Sequence, residues 1–186
     1  ITKSTNSISD AIQGVTLNLL KTSVLNTPTT MTVASNSGDV VTAVNAFVHF
    51  KNRPIIAINL DKGDSLRWVE KTSGKQDIML VTSAGMVIRF NESKVRVLGR
   101  ASRGVKGIKI KAQDELVSMN VLQPDDSNQF LLLMTQKGYG KNIRVNEFKQ
   151  QGRGGIGVKS LKFRKRVSGD RVTAATIASK ENEIMI

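Results

Sequence analysis

Val105-Lys-Gly-Ile-Lys-Ile110 and Val158-Lys-Ser-Leu-Lys-Phe163 are two copies of one pattern: apolar, basic, small, apolar, basic, apolar. Both alternate with a period near two, as half-buried strands do. Ile12-Gln-Gly-Val-Thr-Leu17 and Ile55-Ile-Ala-Ile-Asn-Leu60 fit the same frame more loosely. With the small third residue as anchor, the copies fall at positions 14, 57, 107 and 160, at spacings of 43, 50 and 53. The last three anchors lead into an acidic turn (Gly63-Asp64, Asp114-Glu115, Gly169-Asp170) and then a strand: Leu66 to Val69, Leu116 to Val121, Val172 to Ile177.

A second phase interleaves with the first. Met31 to Val33, Ile78 to Val81 and Phe130 to Met134 are apolar strands that run into a glycine turn at Gly38, Gly85 and Gly138. Val40 to Val44, Met86 to Phe90 and Asn142 to Val145 follow as returning strands, and a basic, glycine-bearing connector leads to the next anchor. Each unit has about four strands, and no sustained helical stripe interrupts them. Four-stranded units at a period of 40 to 55 residues predict an all-β, propeller-like array. The repeats run approximately over 1–35, 36–82, 83–135 and 136–186, two or three complete and the ends partial, in a single domain or an arc of one.

Composition narrows the function. The 186 residues carry 28 Lys+Arg against 15 Asp+Glu, a formal charge of +13. Residues 1–90 hold +3 of it and residues 91–186 hold +10. The run 94–111 contains Lys94, Arg96, Arg100, Arg103, Lys106, Lys109 and Lys111 without one acid. With 39% hydrophobic residues the chain is no disordered polycation. No cysteine and one histidine, His49, exclude a disulfide framework and a Cys/His zinc site and suit a reducing cytosol. The apolar runs are far too short to span a bilayer as a helix, so no membrane is expected. The N-terminus has no signal-peptide order and reads as the interior of a longer chain.

The remaining candidates for chemistry are weak. His49 has no nearby carboxylate and reads as a strand-face residue. Asp125-Asp126 and the acids at 181–183 have neither paired-acid nor metal-ligand spacing. Gly152-Arg-Gly-Gly-Ile-Gly157 fits a dinucleotide pattern but precedes a strand rather than opening a helix. Trp68 reads as core, and Tyr139 is not interleaved with basic residues as single-strand binders require. No enzyme and no cofactor are read from these residues.

A duplex carries one negative charge per ~1.7 Å of axis, so a row of Lys and Arg gives salt-sensitive attachment that ignores sequence. Lys51 and Arg53, then Arg100, Arg103 and Lys106, then Lys149, Arg153 and Lys159 each precede or enter an anchor strand. Lys94, Arg96, Lys141, Arg144 and Lys162 complete the candidate set. Gly104, Gly154, Gly155 and Gly157 are expected to allow tight turns and to let backbone amides approach phosphate. The alternative is a basic propeller that docks an acidic partner or an acidic tail of its own full-length protein.

Several strings resemble the C-terminal domain of the A subunit of bacterial type IIA topoisomerases, most closely DNA gyrase. They are Thr82-Ser-Ala-Gly-Met-Val-Ile-Arg-Phe-Asn-Glu-Ser-Lys-Val-Arg96, Gly99-Arg-Ala-Ser-Arg-Gly-Val-Lys-Gly-Ile108, Gly138-Tyr-Gly-Lys141, and Glu147-Phe148 leading to Arg153-Gly-Gly-Ile-Gly157. In order they cover about 36–186, and residues 1–35 join only through the repeat. The resemblance implies a β-pinwheel of usually five or six blades whose basic outer rim bends and wraps double-stranded DNA. It implies catalysis outside this domain and, as further partners, the remainder of the A subunit plus the ATPase B subunit. It also implies a monomeric isolated chain and a cytoplasmic, nucleoid-associated setting or an organelle of bacterial origin. Gly138-Tyr-Gly-Lys141 leans to gyrase over topoisomerase IV. Gyrase pinwheels carry a first-blade box of Gln, basic, Arg, Gly, Gly, basic, Gly. Gln151-Gly-Arg-Gly-Gly-Ile-Gly157 has Gly152 and Ile156 at the two basic positions and reads as a late connector instead. The box itself is then expected upstream of Ile1.

Overall fold

The computed structural model describes residues 30–35, 38–44, 59–96, 103–123, 128–163, 169–180 and 182. Lys51, Arg53, Arg100, His49 and the stretch Ile12 to Leu17 lie outside them. The strands are β1 (Thr30–Ser35), β2 (Asp39–Val44), β3 (Leu66–Thr72), β4 (Asp77–Thr82), β5 (Met86–Asn91), β6 (Val105–Lys106), β7 (Leu116–Leu122), β8 (Phe130–Thr135), β9 (Gly140–Arg144), β10 (Val158–Lys159) and β11 (Val172–Ala178). Short 3₁₀ turns at Glu92–Lys94 and Val145–Glu147 follow β5 and β9.

Among the described residues three antiparallel sheets form, in the orders β3-β1-β2-β6, β7-β4-β5-β10 and β11-β8-β9. Each is built on one tight hairpin, and Gly38, Gly85 and Gly138 take positive φ at its turn, a conformation costly for any residue with a Cβ. The chain is an all-β propeller-like pinwheel. The expected repeat limits at 35/36, 82/83 and 135/136 fall in these hairpin turns, so each sheet takes strands from neighbouring periods. The short outer strand comes from further still: β6 pairs with β2 through Lys106 opposite Asp39, and β10 with β5 through Lys159 opposite Met86. Each is donated to the hairpin before the one it follows. At the other edge, β7 packs against both β3 and β11, which places these strands on the inside and β6 and β10 on the outside.

The six-residue anchor strands expected from the alternation shorten to two-residue ladders. The reason is the third residue. The Gly107 N–H donates to Gly38 O at 2.9 Å and that of Ser160 to Gly85 O at 2.9 Å, so the strand ends on the neighbouring hairpin turn. A Cβ on Gly38 would lie 2.8 Å from the Ile108 side chain, which is itself fully buried. The anchor and the hairpin glycine meet there backbone to backbone, and it is the hairpin glycine that has no room for a Cβ.

Among the described residues two apolar clusters fill the gaps between sheets. Ile78, Leu80, Ile88, Phe90, Val95, Ile108, Leu116 and Met119 form the first, with Trp68 packed against it. Met79, Val81, Val87, Leu122, Leu131, Leu133, Ile143, Val145, Phe148 and Val172 form the second. Because β4 lies between them, every residue from Ile78 to Thr82 is buried, whereas β8 alternates between half-buried and buried. The acidic turns are staples. Asp114 Oδ1 accepts the Ser83 hydroxyl and the Ala84 N–H, both at 2.8 Å, and Asp170 Oδ1 accepts the Lys137 N–H at 3.1 Å. Burial works to raise the Asp170 pKa, but bonds from Thr135 and the Lys137 and Arg171 amides outweigh it and hold the carboxyl below its ordinary value.

Candidate nucleic-acid interface

Repeat phase and exposure coincide at three pairs of basic residues. Arg96 and Lys149, Lys106 and Lys159, and Lys109 and Lys162 each lie 53 residues apart, the spacing of anchors 107 and 160, and all six side chains are exposed. Lys106 and Lys159 sit on the outer strands β6 and β10, Lys109 and Lys162 follow them by three residues, and Arg96 and Lys149 precede the first residues of those strands by nine. Lys109 is absent from the sequence-derived site. The 53-residue phase that links it to Lys162 is the signal that finds it.

The connector 151–157 has a different character. Arg153 Nε donates to Lys94 O at 2.9 Å and Nη1 to Lys106 O at 3.2 Å. The Gln151 N–H donates to Arg89 O at 2.7 Å, the Gly154 N–H to Gly107 O at 2.6 Å, and the Lys109 N–H to Gly155 O at 2.8 Å. This laces the connector to β5 on one side and to the anchor after β6 on the other. Two sequence expectations change as a result. The Gly154 amide is occupied within the protein and is not offered to phosphate, and two Arg153 nitrogens hold backbone carbonyls. Gly104, Gly154 and Gly157 take positive φ. At Gly157 an added Cβ would stand 2.5 Å from Val87 O, and at Gly155 it would stand 3.6 Å from the Ile88 side chain.

The other candidates are dispersed. Lys94 is exposed on its 3₁₀ turn. Arg103 pairs with Asp61 at 3.1 Å, with side chains 78% and 66% exposed, so the pair contributes under ~1 kcal/mol and leaves the guanidinium open to solvent. Lys141 Nζ donates to Ser160 O at 2.6 Å, and Arg144 is exposed at the end of β9. Tyr139, in the hairpin turn before β9, is 59% exposed.

Sequence reasoning passes over Arg89. Its Nε meets Asp77 Oδ2 at 2.8 Å, and Nη1 reaches Val145 O and Phe148 O at 3.5 and 3.4 Å, which joins the second sheet to the turn after β9. Asp77 Oδ1 also accepts Asn91 Nδ2 at 2.9 Å and Gln150 Nε2 at 2.8 Å. Burial pushes the Asp77 carboxyl up, but bonds from Asn91, Arg89 and Gln150 and the Arg89 charge leave it below the usual value. An arginine inside the apolar strand Met86–Asn91, diagonal to an acid across a two-strand hairpin, is the available signal.

The family model described as DNA gyrase C-terminal domain, beta-propeller, matches residues 76–123 and 129–179. The chain belongs to this family. It is 40% identical to the DNA gyrase A protein of Haloquadratum walsbyi over 136 residues, 73% of this chain and 16% of that one. It is 37% identical to the corresponding gyrase protein of Salmonella typhimurium over 155 residues, 83% of this chain and 17% of that one. The chain thus spans about a sixth of the length of these gyrase relatives. The crystal structure of the C-terminal domain of DNA topoisomerase IV is similar at a TM-score of 0.77 and 25% identity, over 85% of this chain and 49% of that one.

A second model, flagellar hook-associated protein 2 C-terminus, matches residues 1–85. That stretch overlaps the gyrase match at 76–85, which holds β4, and contains β1, β2 and β3 outside the overlap. Strand β6, inside the gyrase match, pairs with β2. The first sheet of this gyrase-family chain therefore joins strands from both matched stretches. Ile12 to Leu17, which shares the anchor pattern, falls in the flagellar match alone.

Proposed function

We propose that the chain is a non-catalytic DNA-binding module of a type IIA topoisomerase A subunit, which bends duplex along its outer strands and so aids supercoiling. The observation that carries this reading is the in-phase exposure of Arg96 and Lys149, Lys106 and Lys159, and Lys109 and Lys162, on β6 and β10 and in the segments that precede and follow them. Equivalent charges on successive sheets meet successive phosphates, and no base-reading side chain is needed. Bending 20–30 base pairs costs about 1–6 kcal/mol, so contacts from several sheets must act together. Lys94, Arg103, Lys141 and Arg144 extend this surface in the proposal, and Lys51, Arg53 and Arg100, outside the described residues, are proposed as DNA-binding residues from their places in the sequence alone. Arg153 supports it by holding the connector rather than by contacting phosphate.

In this reading the cleavage and ATPase machinery lies outside the domain, in the B subunit or the rest of the A subunit. The setting is the cytoplasm at the nucleoid, or an organelle of bacterial origin, and the isolated chain is a monomer. Gyrase is favoured over topoisomerase IV by the two gyrase relatives and by Gly138-Tyr-Gly-Lys141. In this proposal residues 1–186 are a single pinwheel domain or an arc of one, with repeats over approximately 1–35, 36–82, 83–135 and 136–186.

Titration of a random-sequence duplex across a salt series tests the reading. Binding is expected at low salt, with log affinity falling against log salt by several units and little dependence on sequence. A shallow slope, or preference for an acidic peptide over duplex at the same ionic strength, overturns it and favours the protein-docking alternative. The linking number of relaxed plasmid closed in the presence of the chain then separates wrapping from simple attachment.

A further inference from the structure

At the 53-residue repeat, Arg103-Gly-Val-Lys106 lies in phase with Ile156-Gly-Val-Lys159. Gly104 and Gly157 share a conformation, with φ of +82° and +74°. The residue before each glycine differs in chemistry while both are open to solvent: the Arg103 side chain is 78% exposed and Ile156 is 49% exposed. Tyr139 and Val158 are the other large apolar residues exposed among the described residues. Their counterparts one repeat earlier, Met86 and Val105, are half-buried. The counterpart of Ile156 is open even where the following connector is laced in place, so the exposure belongs to the position.

The backbone around Ile156 is fixed on both sides. Gly155 O accepts the Lys109 N–H at 2.8 Å, Gly107 O accepts the Gly154 N–H at 2.6 Å, and Val158 pairs with Val87. Lys106 and Lys109 belong to the anchor that the connector is bonded to before Ile156, Lys159 and Lys162 follow it, and all four are exposed. We propose that Ile156 is an apolar contact to the deoxyribose edge of duplex DNA, placed between the cations of two repeats. This role presupposes the DNA-binding reading and adds to it a contact of another kind. Phosphates alternate with sugars along a strand, so a side chain between cations that hold phosphates meets the sugar edge between them. Much of that edge is C–H surface. Isoleucine sheds water against it without neutralising a charge, so the attachment gains a part that salt does not screen. Because the neighbouring amides and carbonyls are already bonded within the protein, little backbone ordering opposes the contact. Every nucleotide of the duplex offers the same sugar, so the contact carries no base preference.

The test is the affinity of the full chain for a random-sequence duplex over a salt series, with Ile156→Ser, Ile156→Leu and Ile156→Lys beside the parent. Ile156→Ser is expected to weaken binding about three- to tenfold, equally at every salt concentration, as a parallel displacement of log affinity against log salt. Ile156→Leu, which keeps the apolar surface, is expected to stay on the parent line and so separates loss of contact from loss of fold. Ile156→Lys is expected to steepen the slope by about 0.9 and to fall below the parent when extrapolated to about 1 M salt. A duplex with deoxyuridine for thymidine is expected to bind the parent as tightly as before, since no thymine methyl is touched. The proposal is overturned if the serine line coincides with the parent's or differs from it in slope, if the leucine line falls with the serine line, or if deoxyuridine weakens binding. Absence of duplex binding by the parent overturns the DNA-binding reading as well, and the parent line alone shows which of the two has failed.

Discussion

Ser160 donates twice to one acceptor: its backbone N–H reaches the Gly85 carbonyl at 2.9 Å and its hydroxyl reaches the same oxygen at 2.7 Å. Gly107 makes the equivalent contact to Gly38 with its N–H alone. The third anchor position thus selects for size first and adds a hydroxyl bond where a serine is present. Ser160→Ala is expected to lower unfolding free energy by about 1 kcal/mol, the usual net worth of one such bond. Ser160→Leu is expected to cost roughly 1–3 kcal/mol through overpacking and loss of that bond. Urea denaturation of both variants checks this, and a leucine variant as stable as the parent would remove size as the reason for the repeat.

Gly157 makes a sharper case. Its φ is +74° and an added Cβ would fall 2.5 Å from Val87 O, whereas Gly152 has open space around it. Gly157→Ala is expected to cost about 2–4 kcal/mol, since backbone strain and a backbone clash act together. Gly152→Ala is expected to be neutral within about 0.5 kcal/mol. Thermal melting of the pair is sufficient, and equal melting temperatures would contradict the close packing of the connector on β5.

Arg153 and the exposed lysines should separate stability from binding. Arg153→Gln removes bonds to Lys94 O and Lys106 O and is expected to reduce stability by about 1–3 kcal/mol. Lys106→Glu with Lys159→Glu is expected to leave the melting temperature within a few degrees, because neither side chain is buried. If the proposed interface holds, the double variant should weaken duplex binding for all sequences and lower the salt slope by about 2, near 0.9 for each phosphate no longer neutralised. Mobility shifts over a salt series read this directly, and an unchanged slope excludes both lysines from the interface.

Acid should act first through Asp77 and Asp170. Both carboxyls sit below their ordinary values in the fold, so the stability they provide is complete above the unfolded value of about 3.9. It is lost as pH falls through their lower, native values. Unfolding free energy is therefore expected to hold steady down to about pH 5 and to decline below it. In Asp77→Asn the decline should be shallower. An equal slope in that variant would show that the bonds from Arg89, Asn91 and Gln150 do not favour the ionised carboxylate.

The strands are legible in the residues because each is short, apolar and bounded by a glycine turn. Leu66 to Val69 is expected and Leu66–Thr72 is found, and the same holds for Phe130 to Met134 and Phe130–Thr135. Connectivity is not legible. Nothing in Val105-Lys-Gly-Ile-Lys-Ile110 says that its first two residues pair with a hairpin one further back, since period-two alternation records burial and not partner. The candidate site is legible by charge and blurred by role. Arg153 and Lys106 look alike in sequence, yet one holds carbonyls while the other faces solvent, a difference set by backbone from three separate segments. Arg89 goes unread because its alternation matches an ordinary strand, although the Asp77 across the hairpin marks it.

The donated outer strands bear on how the molecule comes together. Val105 lies 65 residues beyond its partner Val40, and Val158 lies 71 beyond Val87, so neither sheet is complete until the following hairpin has been made. Ordinary tandem arrays gain stability unit by unit and fray from their ends. Here release of the connector after β9 also strips β10 from the sheet before it. Neighbouring sheets are therefore bound to one cooperative transition, reached slowly because distant segments must meet before either is rewarded.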